Sequence, residues 1–136
     1  MSQQLIRRAL EKRLAAMTPS MSTAWENAQF TPVSGTPYQR ANLLPNTPDN
    51  AVQGGKMYFD RGIFQVTLCY PMGTGPNAAE SKAQAVRDWF WRGLSLVEGA
   101  ITVHITDTPR ISPALVDGDR FCIPVSVSYQ AQINLT

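Results

Sequence analysis

The residues that could do chemistry are few. The sequence contains one histidine, His104, and two cysteines, Cys69 and Cys122. Covalent catalysis needs a nucleophile, a base and a group that orients the base, and that set is hard to build with a single histidine. A structural zinc site needs four ligands, more than these three residues supply unless subunits share a metal. We therefore expect no enzyme activity, no resident metal and no cofactor.

Two short motifs contain residue types that occur in functional sites, but their patterns are typical of turns. Asp117 and Asp119 flank Gly118, and aspartate beside glycine is typical of a turn for backbone reasons. The run GTGP at 73–76 lacks the lysine and the strand–loop–helix context of a phosphate-binding loop. Neither motif predicts a catalytic or phosphate site.

Cys69 and Cys122 lie far apart in the sequence and belong to no CxxC or Cys/His pattern. In a protein kept in a reducing compartment, such cysteines stay as thiols. The sequence therefore predicts a pair of reduced, half-buried thiols on strands.

Length and composition predict one globular domain over residues 1–136. Charged residues make up 16% of the chain, against about 25% in typical proteins. The net charge of +2 is too small to favour binding to nucleic acid or to a membrane. The N-terminal MSQQLIRRALEKRLAAM is amphipathic rather than a secretory signal, and no apolar run has the ~20 residues of a membrane span. We expect a cytoplasmic location and no membrane partner.

Two amphipathic helices are predicted. Apolar residues at helical spacing indicate the first at 2–17. The second runs over 77–92, with Asn77 and Glu80 resembling a capping box and Gly93 closing it.

Strands are predicted at 24–27, 38–45, 57–70, 101–108 and from 120 to the end. Gly62 predicts a bulge or bend, and Pro124 favours an edge position or a bulge. The fold class is α+β: a two-layer sandwich with a mostly antiparallel four- to five-stranded sheet and two helices packed on one face.

The clearest strand pattern is the C-terminal VSVSYQAQINLT, where apolar residues alternate with Ser, Gln and Asn. A strict period of two predicts a strand with one apolar and one polar face. The strands at 57–70 and 101–108 alternate in the same way. The polar positions of the three strands carry no formal charge beyond a possible charge on the histidine: Gln65, Thr67, Cys69, Thr102, His104, Thr106, Cys122, Ser126, Ser128, Gln130, Gln132 and Asn134.

A neutral polar face is cheaper to desolvate than a charged one, and interface centres are depleted of charge. Two helices cover only one side of a small sheet, so the polar side is predicted to be open in the monomer. We predict that its residues contact another subunit or a partner protein, with His104 as a hydrogen-bonding member: Gln65, Thr67, Thr102, His104, Thr106, Ser126, Ser128, Gln130 and Gln132. The alternative is a solvated face of ordinary strand-forming residues.

Three stretches of the chain resemble one known family. They are IRRALEKRLAAM, AWENAQFTPVSGTPYQRANLLP and RGIFQVTLCYPMGTGPNAAESKAQAVRDWF. Together they are similar to the tail terminator (tail completion) proteins of long-tailed phages and prophages, the lambda tail terminator among them. The resemblance covers nearly the whole chain in its order of elements.

The resemblance implies a structural role in the virion tail. Family members form a hexameric ring on the last ring of tail-tube protein, stop tube polymerisation and offer a surface to the head connector proteins. Several are monomers in solution until they meet the tube. The genome would pass through the lumen without sequence-specific contact.

Two loops are predicted to contact the tube or the connector, because both are polar and irregular. Their candidate residues are Asn46, Asp49, Asn50, Gln53, Lys56, Arg110, Asp117 and Asp119. One alternative function is a head-closure or head–tail joining neck protein. Another is a DNA-contacting neck component or small regulator that uses Arg7, Arg8, Lys12 and Arg13.

Overall fold

Two long antiparallel strands form the centre of the computed structural model, which describes residues 2–17, 21–50, 56–73 and 75–134. The elements follow in the order α1 (Ser2–Ala15), β1 (Thr23–Trp25), β2 (Tyr38–Pro45), β3 (Met57–Pro71), α2 (Asn77–Trp89), β4 (Ser95–Glu98), β5 (Ile101–Ile105), β6 (Arg110–Ile111), β7 (Leu115–Asp117) and β8 (Arg120–Asn134). The fold is a mixed α/β structure with two helices on a curled sheet that forms an open half-barrel.

The sheet is built outward from β3 and β8. These two strands pair without interruption from Met57 opposite Asn134 to Pro71 opposite Arg120. β2 pairs antiparallel with β3, and β1 adds in parallel beside β2. On its other side β8 pairs in turn with β5, β6 and β7, and β4 pairs with β5.

One face of this sheet is the core face. Alternate residues of the central strands, such as Phe64, Val66, Val125 and Val127, are fully buried there. α1 contributes four buried side chains at helical spacing, Ile6, Ala9, Leu10 and Leu14, and α2 contributes Ala79, Ala83 and Val86. The predicted placement of two helices on one face is therefore confirmed.

α1 lies between the two ends of the curled sheet. On one side Arg7 contacts Glu26 at 2.9 Å, and the Glu26 carboxylate also accepts a hydrogen bond from the backbone N–H of Leu43 at 2.8 Å. On the other side Lys12 lies 3.2 Å from Glu98, which belongs to β4. The Leu43 N–H and the Arg7 guanidinium lower the pKa of Glu26.

The sandwich of four to five strands was only roughly right, because the described sheet has eight strands and curls. β4 falls in a stretch with no predicted element, and β6 and β7 fall in the segment predicted to be an irregular loop. These strands have two to four residues, too few to show a period of two, and each exists because a longer strand lies beside it.

The bulge at Gly62 was wrong. The β3–β8 register runs through this residue, and a Cβ there would lie 2.5 Å from the Leu44 carbonyl oxygen and 2.7 Å from the Tyr129 hydroxyl. Glycine is thus required for the close approach of these groups.

Pro124 lies in the central strand β8 rather than at an edge. The Pro124 carbonyl accepts a hydrogen bond from the Ser112 N–H at 2.9 Å. The Pro124 nitrogen, which has no hydrogen to donate, points to the same side of β8, between β6 and β7. A proline is tolerated there because the neighbouring strand changes at that point.

The predicted ends of α2 also differ. Asn77 is the first helical residue, Pro76 is the N-cap, and no side chain caps the helix. The helix ends at Trp89, and the Gly93 N–H bonds to Ile105 in the sheet.

The prediction of reduced cysteines was wrong. Cys69 and Cys122 stand directly opposite each other on β3 and β8, are fully buried and form a disulfide. Their separation of 53 residues in sequence concealed this pairing.

Candidate assembly surface

The sheet side that faces away from the helices, here called the outer face, holds all nine predicted interface residues. Gln65 is opposite Ser126, Gln130 is opposite His104, and the Thr106 N–H bonds to the Ser128 carbonyl at 3.1 Å. Thr67, Thr102 and Gln132 occupy the same alternating positions of their strands. The register of the strands therefore brings together residues that are up to 67 positions apart, from Gln65 to Gln132.

The exposure of these residues changes along the outer face. His104 and Gln132 are exposed, and most of the others are partly exposed. Thr67 is 7% exposed and so is buried already within the monomer. The predicted open face is thus open at one end and closed at the other.

The closed end is covered by the segment 26–37. Phe30 packs against Tyr38 with ring centroids 5.2 Å apart, over the Cys69–Cys122 disulfide. The buried Arg120 holds this segment by donating hydrogen bonds to the carbonyls of Thr36 and Val33.

The guanidinium of Arg120 also lies 5.0 Å from the centre of the Tyr38 ring. A buried arginine is stable when such acceptors satisfy it. The alternating pattern of the strands contained no signal for this covering segment.

Charged side chains correct the expectation of a charge-free face: besides the buried Arg120, which shares the alternating position of Cys122 on β8, three further arginines lie there. Arg40, Arg61 and Arg110 all lie on the outer face by register. Arg40 is 3.5 Å from Asp117, and the Arg61 Nε donates to the Thr47 carbonyl at 2.9 Å. Arg40 and Arg110 were not predicted because the polar face was defined from three strands that did not include β2 and β6. Arg61 was not predicted because a bulge was expected at Gly62.

Three apolar side chains also lie on the open part of this face; one of them, Val97, is opposite Thr102, and the other two are adjacent. Leu44 and Ile63 are directly opposite each other and remain 47% and 36% exposed. Adjacent exposed aliphatic residues on a sheet favour burial against another protein.

The predicted contact loops reach opposite ends of the β3–β8 pair, but Arg110 of the second loop lies opposite Ser126, near the middle of the pair. Asn46, Asp49, Asn50 and Lys56 are exposed beside the start of β3, whereas Asp117 and Asp119 are exposed beside its end. A strand of this length spans at most about 50 Å, so these two groups are well separated. Gln53 lies outside the described residues.

Local contacts order both groups. The backbone of Asp49 makes two hydrogen bonds of 2.9 Å with Phe59, which extends the β2–β3 hairpin. Arg110 and Asp117 lie in the short strands β6 and β7 rather than in a loop.

His104 lies within the sheet, between Ser95 of β4 and Gln130 of β8. Its Nδ1 forms a 2.9 Å hydrogen bond with the Ser95 hydroxyl. Within the described ranges, no group of three or more His, Cys, Asp or Glu side chains could hold a metal. A cavity of about 440 Å³ lies elsewhere, at the end of β3, and is lined by Pro71, Met72, Gly73, Gly75, Pro76 and Phe121.

The basic residues of α1 make contacts within the chain. Arg7 pairs with Glu26, while Arg8 and Lys12 contact Glu98 at 3.7 and 3.2 Å. The Arg13 guanidinium stacks 3.8 Å from the centre of the Trp89 ring. Each of these four basic side chains thus has a partner within the chain.

The sequence model of a family described as "Phage tail terminator protein" matches residues 5–129. The chain belongs to the phage tail terminator family. A tail terminator is a structural protein of the virion tail that interacts with other tail or head proteins. The resemblance drawn from the sequence is confirmed.

Six chains among solved structures match this tail terminator. One is 31% identical and superposes with a TM-score of 0.78, covering 100% of this chain and 99% of the other. No curated protein matches it. Among the described helices, none has the length and hydrophobicity needed to cross a bilayer.

Proposed function

We propose that this tail terminator caps the tail tube as a homo-hexameric ring, ends tube polymerisation and provides the surface on which the head docks. Family membership supports the role in the tail. The observation that carries the proposal is the placement of two exposed polar groups at opposite ends of β3 and β8. A cap needs two such ends, one for the tube and one for the head connector.

The sheet between these ends supplies the protein contacts. Its open outer face carries Ser128, Gln130 and Gln132 beside the apolar pair of Leu44 and Ile63. Hydroxyl and amide groups lose less on desolvation than charges do, and Leu44 and Ile63 gain from it. We assign this face to contacts with a neighbouring subunit or with the tube ring below.

Electron microscopy of tails assembled with and without the protein tests the proposal. Tubes assembled without it should exceed the normal length, and adding purified protein should restore a single length and a terminal ring. Unchanged tube lengths would contradict termination.

A pull-down compares purified tail-tube protein with purified portal–connector complex as bait. Capture by the tube protein supports termination. Capture by the connector complex alone would favour a head-closure protein instead.

A further inference from the structure

The sheet path ends in two short strands, β1 and β4, that carry few charges. Natural edge strands commonly carry charges or proline that keep other strands away. β1 is Thr23, Ala24 and Trp25, all uncharged, and β4 is Ser95, Leu96, Val97 and Glu98, with its charge on the last residue. Within the part of the chain that the structure describes, β1 and β4 end the sheet, and no strand pairs with their outer sides. Val97 is 73% exposed.

The charges beside β1 have a negative excess. Glu26 directly follows β1, and Arg7 of α1 contacts both Glu26 at 2.9 Å and Glu11 at 3.7 Å. Two carboxylates thus share one guanidinium. We call Arg7, Glu11 and Glu26 the negative flank.

The charges beside β4 have a positive excess. Arg8 and Lys12 both approach Glu98, whose side chain is 13% exposed, while their own side chains are 58% and 67% exposed. Two exposed cations thus share one shielded carboxylate. We call Arg8, Lys12 and Glu98 the positive flank.

We propose that a second copy of this chain docks here, with the negative flank and β1 of one copy against the positive flank and β4 of the next. This inference rests on the proposed ring and names its subunit contact. The two flanks have opposite charge, and the two strands offer backbone groups that can pair across the contact. Contacts between different patches of one molecule are head-to-tail, and they produce rings when the rotation closes.

Two single charge reversals test the contact. Arg8→Glu makes the positive flank negative, and Glu11→Lys makes the negative flank positive, so either variant alone places like charges against each other. In an equimolar mixture every contact between unlike copies joins opposite charges again. A ring of six accommodates this alternation.

Sedimentation velocity at high protein concentration measures self-association, and electron microscopy measures rings on tail tubes. Each variant alone should need at least ~10-fold more protein to associate, and the mixture should return to within ~3-fold of wild type. High salt should weaken association of the wild type and of the mixture alike. Circular dichroism confirms that each variant is folded.

The matched control is Glu80→Lys, which reverses an exposed carboxylate on α2, away from both flanks. It should associate as the wild type does. Variants that associate normally, or a mixture that stays as weak as its components, would overturn the proposed contact. A wild-type protein that self-associates but leaves tube length unchanged would contradict the proposed function and leave the contact supported.

Discussion

At the scale of single residues, the structure depends on a few buried polar groups that the sequence pattern hides. The Tyr129 side chain is 2% exposed and crosses Gly62, where any Cβ would be 2.7 Å from its hydroxyl. Alternation correctly placed Tyr129 on the apolar face. It could not show that its hydroxyl requires glycine on the adjacent strand, because that contact depends on the β3–β8 register.

The stability of the protein should fall above pH 10 because of Tyr129. Burial, with a smaller effect of the Asp60 carboxylate, raises the pKa of Tyr129 to about 12. The tyrosine of the unfolded chain ionises near pH 10, so this contribution is complete below pH 10 and is lost as the pH rises to 12. The loss approaches roughly 2–3 kcal/mol, at about 1.4 kcal/mol per pKa unit.

Urea unfolding at pH 8, 10 and 11.5 measures this effect, with Tyr129→Phe as the comparison. The difference in stability between wild type and variant should shrink as the pH rises. A difference that is constant across this range would contradict a buried neutral hydroxyl.

Reduction of the Cys69–Cys122 disulfide should destabilise the protein. The bond closes a loop of 53 residues, and the chain-entropy relation gives about 4 kcal/mol for a loop of that size. Urea unfolding with and without a reductant checks this value. The double variant Cys69→Ala and Cys122→Ala should unfold identically in both conditions, and two reactive thiols in the unfolded, unreduced wild type would refute the bond.

At the scale of elements, long periodic segments were predictable and short ones were not. Both helices, β2, β3 and the C-terminal strand were predicted to within a few residues because each buries a repeating set of side chains. The nine interface candidates share one face for the same reason. β4, β6 and β7 were not predicted because each has at most four residues. The parallel pairing of β1 with β2 could not be predicted because it depends on the path of segment 26–37 between them.

Of two neighbouring tryptophans, Trp89 makes the hydrogen bonds that connect the two helices. The Trp89 Nε1 donates to the Arg13 carbonyl at 2.6 Å, and the Arg13 Nη2 donates to the Trp89 carbonyl at 2.8 Å. Trp91 is 49% exposed, and its ring centre is 5.1 Å from the Arg13 guanidinium.

Trp89→Leu should therefore cost about 2–3 kcal/mol, because it removes a hydrogen bond, ring stacking and buried area together. The matched variant Trp91→Leu should cost below about 1 kcal/mol. Denaturant unfolding of the two variants measures both values. Equal losses would show that the reciprocal Arg13–Trp89 contact does not hold the helices together.

At the scale of the whole molecule, the outer face divides into a covered end and an open end. Segment 26–37, held by Arg120, covers the end that contains the disulfide. The remaining surface is the part available to other proteins, and its composition of serine, glutamine, threonine and arginine differs from the charge-free face that the sequence suggested.

Replacing Ser128 and Gln130 by lysine should leave the monomer folded and prevent ring formation. Both positions are partly exposed on β8, so the lysine amines can reach water in the monomer but would be buried unpaired in an assembled ring. Ring formation on tail tubes, seen by electron microscopy, is the measurement, with unchanged thermal unfolding as the control. Normal rings with both lysines present would show that the outer face is not an assembly contact.

The uninterrupted pairing of β3 with β8 also determines how the molecule would respond to mechanical load. The ladder hydrogen bonds of an antiparallel pair lie perpendicular to the strands. A force that pulls the two strands in opposite directions along their length is therefore shared by all fifteen residue pairs from Met57–Asn134 to Pro71–Arg120, and the pairs must break together rather than one after another. The Cys69–Cys122 bond adds a covalent crosslink between the two strands near one end, which prevents them from sliding past each other there.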